Sequence, residues 1–337
     1  MEQGVLQLAL TWNGGQIGAA AVASTRPATT ARALRGFSFE RVLEFIPRLF
    51  SLCRCAQASA AQLSLQAARG LRADLAATPA QTLAVALEAI GEHLWRLLLD
   101  WPSLIGEPAR QNEFLVWRKR LLGLADAADG RNGSGAAAFG ACLLAWLDEQ
   151  CPPRFDERML AAPVALLPRL SAADWESHFG DDAFAEQPTF AGQAAETGVL
   201  ARQAEDPEVA ALLSDGRRLQ ARLQARYVDL RGLAQALAEP EQRSTWIDVA
   251  QVAERCGLAR VETARGTLLH RVELDGDRVA RYAIVAPTEW NFHPQGVFVR
   301  EMTGRPAATR AEALLAGRRL ALSLDPCVLF EVTVKDA

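Results

Sequence analysis

Two short runs near opposite ends of the chain place thiols where a metal could be held. Arg48-Leu49-Phe50-Ser51-Leu52-Cys53-Arg54-Cys55 carries a Cys-x-Cys pair, and Asp325-Pro326-Cys327 lies at the other end. Thiolates are soft ligands that suit iron, zinc and copper. Two further runs lie between them, Glu262-Thr263-Ala264-Arg265-Gly266 and Pro287-Thr288-Glu289-Trp290-Asn291. An arginine presents a rigid fork of donors to an anion, and a threonine presents one hydroxyl. Each run alone also has a bland reading: packed thiols, a turn, a packed loop, a helix terminus. The six cysteines (Cys53, Cys55, Cys142, Cys151, Cys256 and Cys327) are too few and too scattered in 337 residues for a disulfide framework. Each is expected to be a buried thiol unless its surroundings say otherwise.

These residues need elements to carry them. Leu6, Leu8 and Leu10 alternate with Gln7 and Ala9 ahead of Asn13-Gly14, which predicts a β-hairpin over residues 4–24. Thr29 to Gly36 leads into an apolar-periodic stretch, Phe39 to Leu52, expected as a helix kinked or divided at Pro47. From about 54 to 238 the pattern is helical, with breaks near Pro102, Gly130 to Gly135 (the most linker-like), Pro152-Pro153 and Gly180 to Pro188. Leu212 to Ala238 is expected as one long helix with Arg and Gln on its wet side. A second hairpin follows, in which Leu268 to Leu274 turns at Asp275-Gly276 and returns over Val279 to Ala286. A helix is expected from Thr309 to Leu322. With strands at both ends and helices between, the fold class is α+β and mainly helical: one unit, residues 1–337, in which the two ends meet.

Composition narrows the class of function. Half the residues are hydrophobic and 23% are charged, as in ordinary soluble proteins. There are 36 basic and 40 acidic residues, interspersed, for a net charge of −4, so nothing draws the chain to nucleic acid or an anionic membrane. The longest apolar run, Ala136 to Leu147, is too short to span a bilayer, and no signal segment opens the chain. A cytoplasmic location is expected.

Taken in order, these motifs resemble the large subunit of [NiFe] hydrogenases. Arg35-Gly36 is similar to that family's first Arg-Gly element, and Arg48 to Cys53 to its Arg-x-Cys-x-x-Cys. Glu196-Thr197-Gly198-Val199-Leu200-Ala201-Arg202 resembles Glu-x-Gly-x-Leu-Ala-Arg, and Ala264-Arg265-Gly266 to His270 resembles Pro-Arg-Gly-x-x-x-His. Pro287-Thr288-Glu289-Trp290-Asn291 is similar to Pro-Thr-x-Trp-Asn, and Asp325-Pro326-Cys327 to Asp-Pro-Cys-x-x-Cys. The likeness covers residues 1–60 and 186–333; the region 101–185, expected to be helical, matches nothing recognised. The implied fold is a truncated large-subunit-like one, with N- and C-terminal β-hairpins around a helical core.

The departures shape the expected function. In that family four cysteines hold nickel, and two of them bridge to an iron carrying carbon monoxide and cyanide. Here Phe50 and Phe330 replace one cysteine of each pair, leaving Cys53 and Cys327. The two phenyl rings are expected to fill the vacant nickel seat. Gln57 and Thr333 replace the histidines that follow each pair, and Ser38 replaces a proton-relaying glutamate, with Glu40 nearby. Only ten residues follow Cys327, so no cleavable tail is expected. By resemblance Arg265 faces one cyanide, and Thr288, with the backbone after Pro287, donates to the other. Ala264 stands where the family has proline. This pattern looks like accessory proteins of the HupK/HoxV type. They imply a non-catalytic scaffold that takes an Fe(CN)2(CO) unit without nickel from the maturation proteins and passes it to the apo large subunit.

Other classes remain open. A metal-free chaperone that mimics the large subunit would carry vestigial cysteines. A thiol oxidoreductase using Cys53 and Cys55 lacks a surrounding thioredoxin-like βαβ pattern. A degenerate hydrogenase is an alternative, and so is a zinc site, although His93 and His178 lie outside any ligand-spaced motif. Cys55 is either a spare thiol that assists ligand exchange or a packed residue.

Overall fold

The computed structural model describes all residues except 1–3, 26–30, 51, 72–74, 127–132, 160–162, 180–181 and 240–245. Thr29, Thr30, Ser51, Gly130 to Asn132 and Gly180 therefore lie outside the described residues. The chain begins with the expected hairpin, β1 (Val5–Trp12) and β2 (Ile17–Ser24), joined through Asn13, whose side chain accepts from the Gln16 amide. Helix α1 (Phe39–Leu49) starts at Ser38, whose hydroxyl caps the Arg41 amide, and contains Pro47 in its last turn. Helix α2 (Arg54–Ala68) begins at Cys53, and α3 (Pro79–Trp95) begins at a Thr78/Gln81 capping box. A five-residue π-turn (Arg96–Asp100) joins α3 to α4 (Trp101–Leu104).

Helices α5 (Gln111–Asp126) and α6 (Gly133–Asp148) follow, so Gly133 to Gly135 open a helix and do not form a linker. The expected helical region 101–185 has long helices only as far as Asp148. Beyond it Pro152, Pro153, Pro163 and Pro168 break the ladder, since proline lacks the donor a helix needs. The chain then passes through β3 (Ala165–Leu166), α7 (Ala172–Trp175) and 3-10 turns to β4 (Ala195–Glu196) and α8 (Val199–Arg202).

The expected single helix over 212–238 is two, α9 (Pro207–Ser214) and α10 (Arg218–Ala238), divided at Gly216, whose φ is +74°. Arg231 of α10 is exposed as expected, but three other arginines of the helix are not on a wet side. Arg218, Arg222 and Arg226 recur every fourth residue as a buried stripe. Arg218 and Arg222 meet Glu196 and Glu301, and Arg226 meets Asp325. Buried charges persist only when paired, and these are.

The second sheet is a four-stranded antiparallel meander, β5 (Ile247–Ala253), β6 (Cys256–Thr263), β7 (Gly266–Asp275) and β8 (Arg278–Val285). The expected hairpin is β7–β8; β5 and β6 extend it. Helices α11 (Pro287–Asn291), α12 (Val297–Met302) and α13 (Arg310–Leu324) lead to the last strand, β9 (Leu329–Asp336). Strand β9 pairs in parallel with β1, with Leu6 beside Phe330 and Leu8 beside Val332, so the two ends of the chain do meet. Helix α2 lies on the meander, burying Ala56, Ala60 and Leu63 against Val261 and Leu268. No described helix is long and apolar enough to cross a membrane.

Candidate metal-handling site

Three chain segments bring the site together. Cys53 is the N-cap of α2, and Cys327 follows α13, which ends at Asp325 in a left-handed conformation (φ +54°) before Pro326. Arg265 sits in the tight β6–β7 turn. That turn depends on two facing glycines with positive φ, Gly198 at +116° and Gly266 at +131°. A Cβ on Gly266 would lie 2.6 Å from Thr197 Cγ2 and 2.7 Å from the Gly198 nitrogen. The Glu-Thr-Gly and Ala-Arg-Gly motifs, far apart in sequence, are therefore two halves of one backbone contact.

Cys53 and Cys327 lie within electrostatic reach of each other, and both sulfurs act on the Arg265 guanidinium. Both cysteines are half-buried as residues. Burial, then the neighbouring Cys327, pushes the Cys53 thiol up to about 12, against a downward pull from Arg265. Arg265 is buried and is held charged despite desolvation, chiefly by Asp325 and then by Glu92 and the two cysteines. It donates to Glu92 at 2.5 Å. Its Nε lies 3.3 Å from Asp325 Oδ1 but is not aligned to donate there, and it remains a buried donor without a hydrogen-bond acceptor.

Thr288, in the first turn of α11 behind Pro287, holds Cys327 at two points. Its hydroxyl accepts from the Cys327 amide and donates to the Cys327 sulfur, each at 3.1 Å. The buried Ala264 packs into the cluster formed by Leu87, Ala89 and Ile90 of α3. All six expected site residues (Cys53, Cys327, Ala264, Arg265, Pro287 and Thr288) thus lie on segments that converge here.

The expected filling of a nickel seat by two rings is not what the packing shows. Phe50 packs against Leu34, Val42 and Ile46, and also lines a cleft of about 360 Å3 with Tyr282, Ala286 and Phe292. Phe330 packs in another cluster, with Leu6, Leu8 and Val332, because its strand pairs with β1. The β-ladder dictates where Phe330 points, and the two rings do not share one space. The voids beside Arg265 are about 10 Å3 each, room for about one water.

Several participants carried no prior expectation. Asp325 is the electrostatic hub: Arg96 donates to it at 2.7 Å, Arg226 at 3.0 Å, and Arg265 stands beside it. Glu88 of α3 accepts from the Cys55 and Ala56 amides at 2.7 and 3.0 Å, supplying the cap that α2 lacks. Glu88 and Glu92, one turn apart on a mostly apolar helix, were the sequence signal for this role. Burial and then Glu88 push the Cys55 thiol up to about 12, and the residue packs beside Val85 and Val261. Gln57 lies 3.7 Å from the Cys53 sulfur. His93 is a satisfied core histidine between Asp229 and Arg226, while Cys142 and Cys151 are exposed, unlike the buried thiols expected.

Comparison with known proteins bears on this geometry. The family described as nickel-dependent hydrogenase matches residues 214–330. The reduced Ni-Fe-Se hydrogenase from Desulfomicrobium baculatum superposes with a TM-score of 0.65 at 14% identity, over 94% of this chain and 95% of that one. The fold is therefore that of a hydrogenase large subunit. Among curated proteins, the hydrogenase expression/formation protein HupK of Rhizobium leguminosarum is 32% identical over 94% of this chain and 93% of its own length. HupK of Azotobacter vinelandii is 34% identical over 91% of each, and HoxV of Cupriavidus necator 30% over 96% and 94%. This chain belongs to the HupK/HoxV family. In this chain Cys53 and Cys327 both lie within electrostatic reach of Arg265. Among the described residues no group of three or more His, Cys, Asp or Glu is placed to hold a metal ion.

Proposed function

We infer that this protein is a non-catalytic scaffold in hydrogenase maturation, which holds an Fe(CN)2(CO) unit as cargo and passes it to the apo large subunit. The observation that carries the reading is that Cys53 and Cys327, from opposite ends of the chain, lie within electrostatic reach of each other and of the buried Arg265 guanidinium, with Cys53 and Arg265 lining one small void. Two thiolates suit an iron whose other positions are filled by strong-field diatomic ligands. A cyanide nitrogen accepts hydrogen bonds, and the Nε of Arg265 is a buried donor in need of an acceptor. Thr288 adds a hydroxyl beside Cys327. A donor pair of two thiolates in place of four favours release, as a carrier requires. Partners in this reading are the maturation proteins that load the cargo and the large subunit that receives it.

Infrared spectra of protein purified from hydrogenase-producing cells test this. Two cyanide bands and one carbonyl band, with iron, are expected in the wild type and lost in Cys53→Ala and Cys327→Ala. The large-subunit fold itself favours a second reading, a metal-free mimic that occupies a maturation partner. Hydrogenase maturation left intact by both cysteine substitutions would select that reading and defeat the first.

A further inference from the structure

The Cys53 sulfur is the end of a buried hydrogen-bond chain whose members come from one helix and two strands. Gln57, one turn along α2 and 1% exposed, directs its amide nitrogen at the sulfur, 3.7 Å away. Its amide oxygen lies 2.8 Å from Nε2 of His270, which is fully buried on β7. Nδ1 of the same ring lies 2.8 Å from the Tyr282 hydroxyl on β8. The polarity follows from the ends. With the amide nitrogen facing sulfur, the oxygen must accept, so Nε2 of His270 carries the proton. Nδ1 is then the acceptor, and Tyr282 donates to it. Burial holds His270 neutral, pushing it down to about 3, and a neutral ring is what such a chain needs.

We propose that Gln57 is a positioning residue that donates a hydrogen bond to the Cys53 sulfur and, held in that orientation by His270 and Tyr282, weakens the sulfur's grip on its cargo. The inference rests on the reading of Cys53 as a cargo ligand. A hydrogen bond to a ligating sulfur withdraws charge from it, so the metal receives less and is released more readily. Without His270 and Tyr282 a glutamine amide can rotate and present its oxygen instead. An oxygen facing a thiolate repels it. Two strands of the meander thus fix the donor on a helix, which is why the three residues are scattered over positions 57, 270 and 282.

Gln57→Leu removes the donor at similar volume, and Tyr282→Phe leaves position 57 intact while freeing the His270 tautomer. In cargo-loaded protein, Gln57→Leu should move the carbonyl stretch to lower wavenumber and slow iron loss to a chelator several-fold. Tyr282→Phe should shift both in the same direction by less, and Gln57→His should restore much of the wild-type behaviour. A second readout needs no cargo. The rate of Cys53 alkylation at one fixed pH, followed by peptide mass spectrometry, should fall about tenfold in Gln57→Leu, the size of one charge-assisted hydrogen bond. An unchanged Cys53 rate in both variants would overturn the proposal. A changed rate in the variants, with wild-type protein that never shows carbonyl or cyanide bands, would leave the hydrogen bond standing and refute the cargo reading instead.

Discussion

Thr288 and Cys327 hold each other at two points, since one hydroxyl accepts from the cysteine's amide and donates to its sulfur, both at 3.1 Å. The short helix α11 is thereby tied to the segment between α13 and β9, which Arg96 also holds through the Pro326 carbonyl. Thr288→Val keeps the shape and removes both bonds, leaving the Cys327 amide without its acceptor. A loss of about 1–3 kcal/mol in urea denaturation is expected, together with faster alkylation of Cys327. Thr288→Ser should retain most of the wild-type stability. Equal behaviour of the Val and Ser variants would show that the hydroxyl matters little.

Asp325 neutralises buried positive charge from Arg96, Arg226 and Arg265 together. Desolvation opposes its ionisation, but Arg96, Arg265 and Arg226 outweigh it and hold the carboxyl far below its usual range. Asp325→Asn leaves those arginines buried without their shared anion, for which a cost of about 3–5 kcal/mol is expected. The same change frees Arg265 to move, so iron content should fall further than the loss of stability explains. A Tm within a degree or two of wild type would contradict this account.

The contrast between Asp325 and the α10 arginines shows what the sequence could disclose. Cys53, Arg265, Thr288 and Cys327 lie in contiguous motifs whose order along the chain survives, so their convergence was legible. The N-terminal hairpin and β7–β8 were legible because alternation and Asn-Gly or Asp-Gly turns act locally. Strand β6 escaped notice because all eight of its residues are buried, which erases alternation, and because Arg260 and Glu262 within it look solvent-facing. Those two pair with each other at 3.0 Å, and Arg202 completes the set. Three arginines of α10 were misplaced for the same reason: charge is usually exposed, and their partners Glu196, Glu301 and Asp325 are remote in sequence. Phe50 and Phe330 were assigned to one space by motif logic, whereas strand pairing and local packing separate them.

Acid should unfold the protein through its buried carboxylates. Burial works against ionisation of Glu196, Asp229 and Asp325, yet Arg222 and Arg218, then Arg202 with His93, and then Arg96 with its neighbours prevail, so all three folded-state values are depressed. A depressed value means that the unfolded chain binds protons first as pH falls. Stability is therefore fully present above the ordinary carboxylate values of 4.5 and 3.8, and is lost progressively below them. The carboxylate contribution should be flat from about pH 7 to pH 5 and then drop steeply, while His270, buried neutral and held down at about 3, makes urea midpoints begin to fall already below its ordinary 6.5. Replacing Glu196 with Gln should flatten part of that drop while lowering the plateau. An unchanged acid limb in that variant would mean that Glu196 is not among the groups that titrate on unfolding.

Gly266 offers the sharpest test of how the two motifs meet. At φ +131° any side chain is strained, and a Cβ would meet Thr197 Cγ2 at 2.6 Å and the Gly198 nitrogen at 2.7 Å. Neither the strand end nor the Gly198 backbone can retreat, because the Thr267 amide donates to the Thr197 hydroxyl at 3.0 Å, and Asn291 accepts from the Thr197 amide at 2.9 Å. Gly266→Ala should therefore cost more than about 2 kcal/mol and push Arg265 away from Asp325 and the two sulfurs. Gly276, also at positive φ (+58°) but with nothing near its Cβ position, is the control. Gly276→Ala should cost about 1 kcal/mol from backbone strain alone and leave iron content unchanged. If the two alanine variants denature alike and carry iron alike, the close approach of the Glu-Thr-Gly and Ala-Arg-Gly segments does not position the arginine.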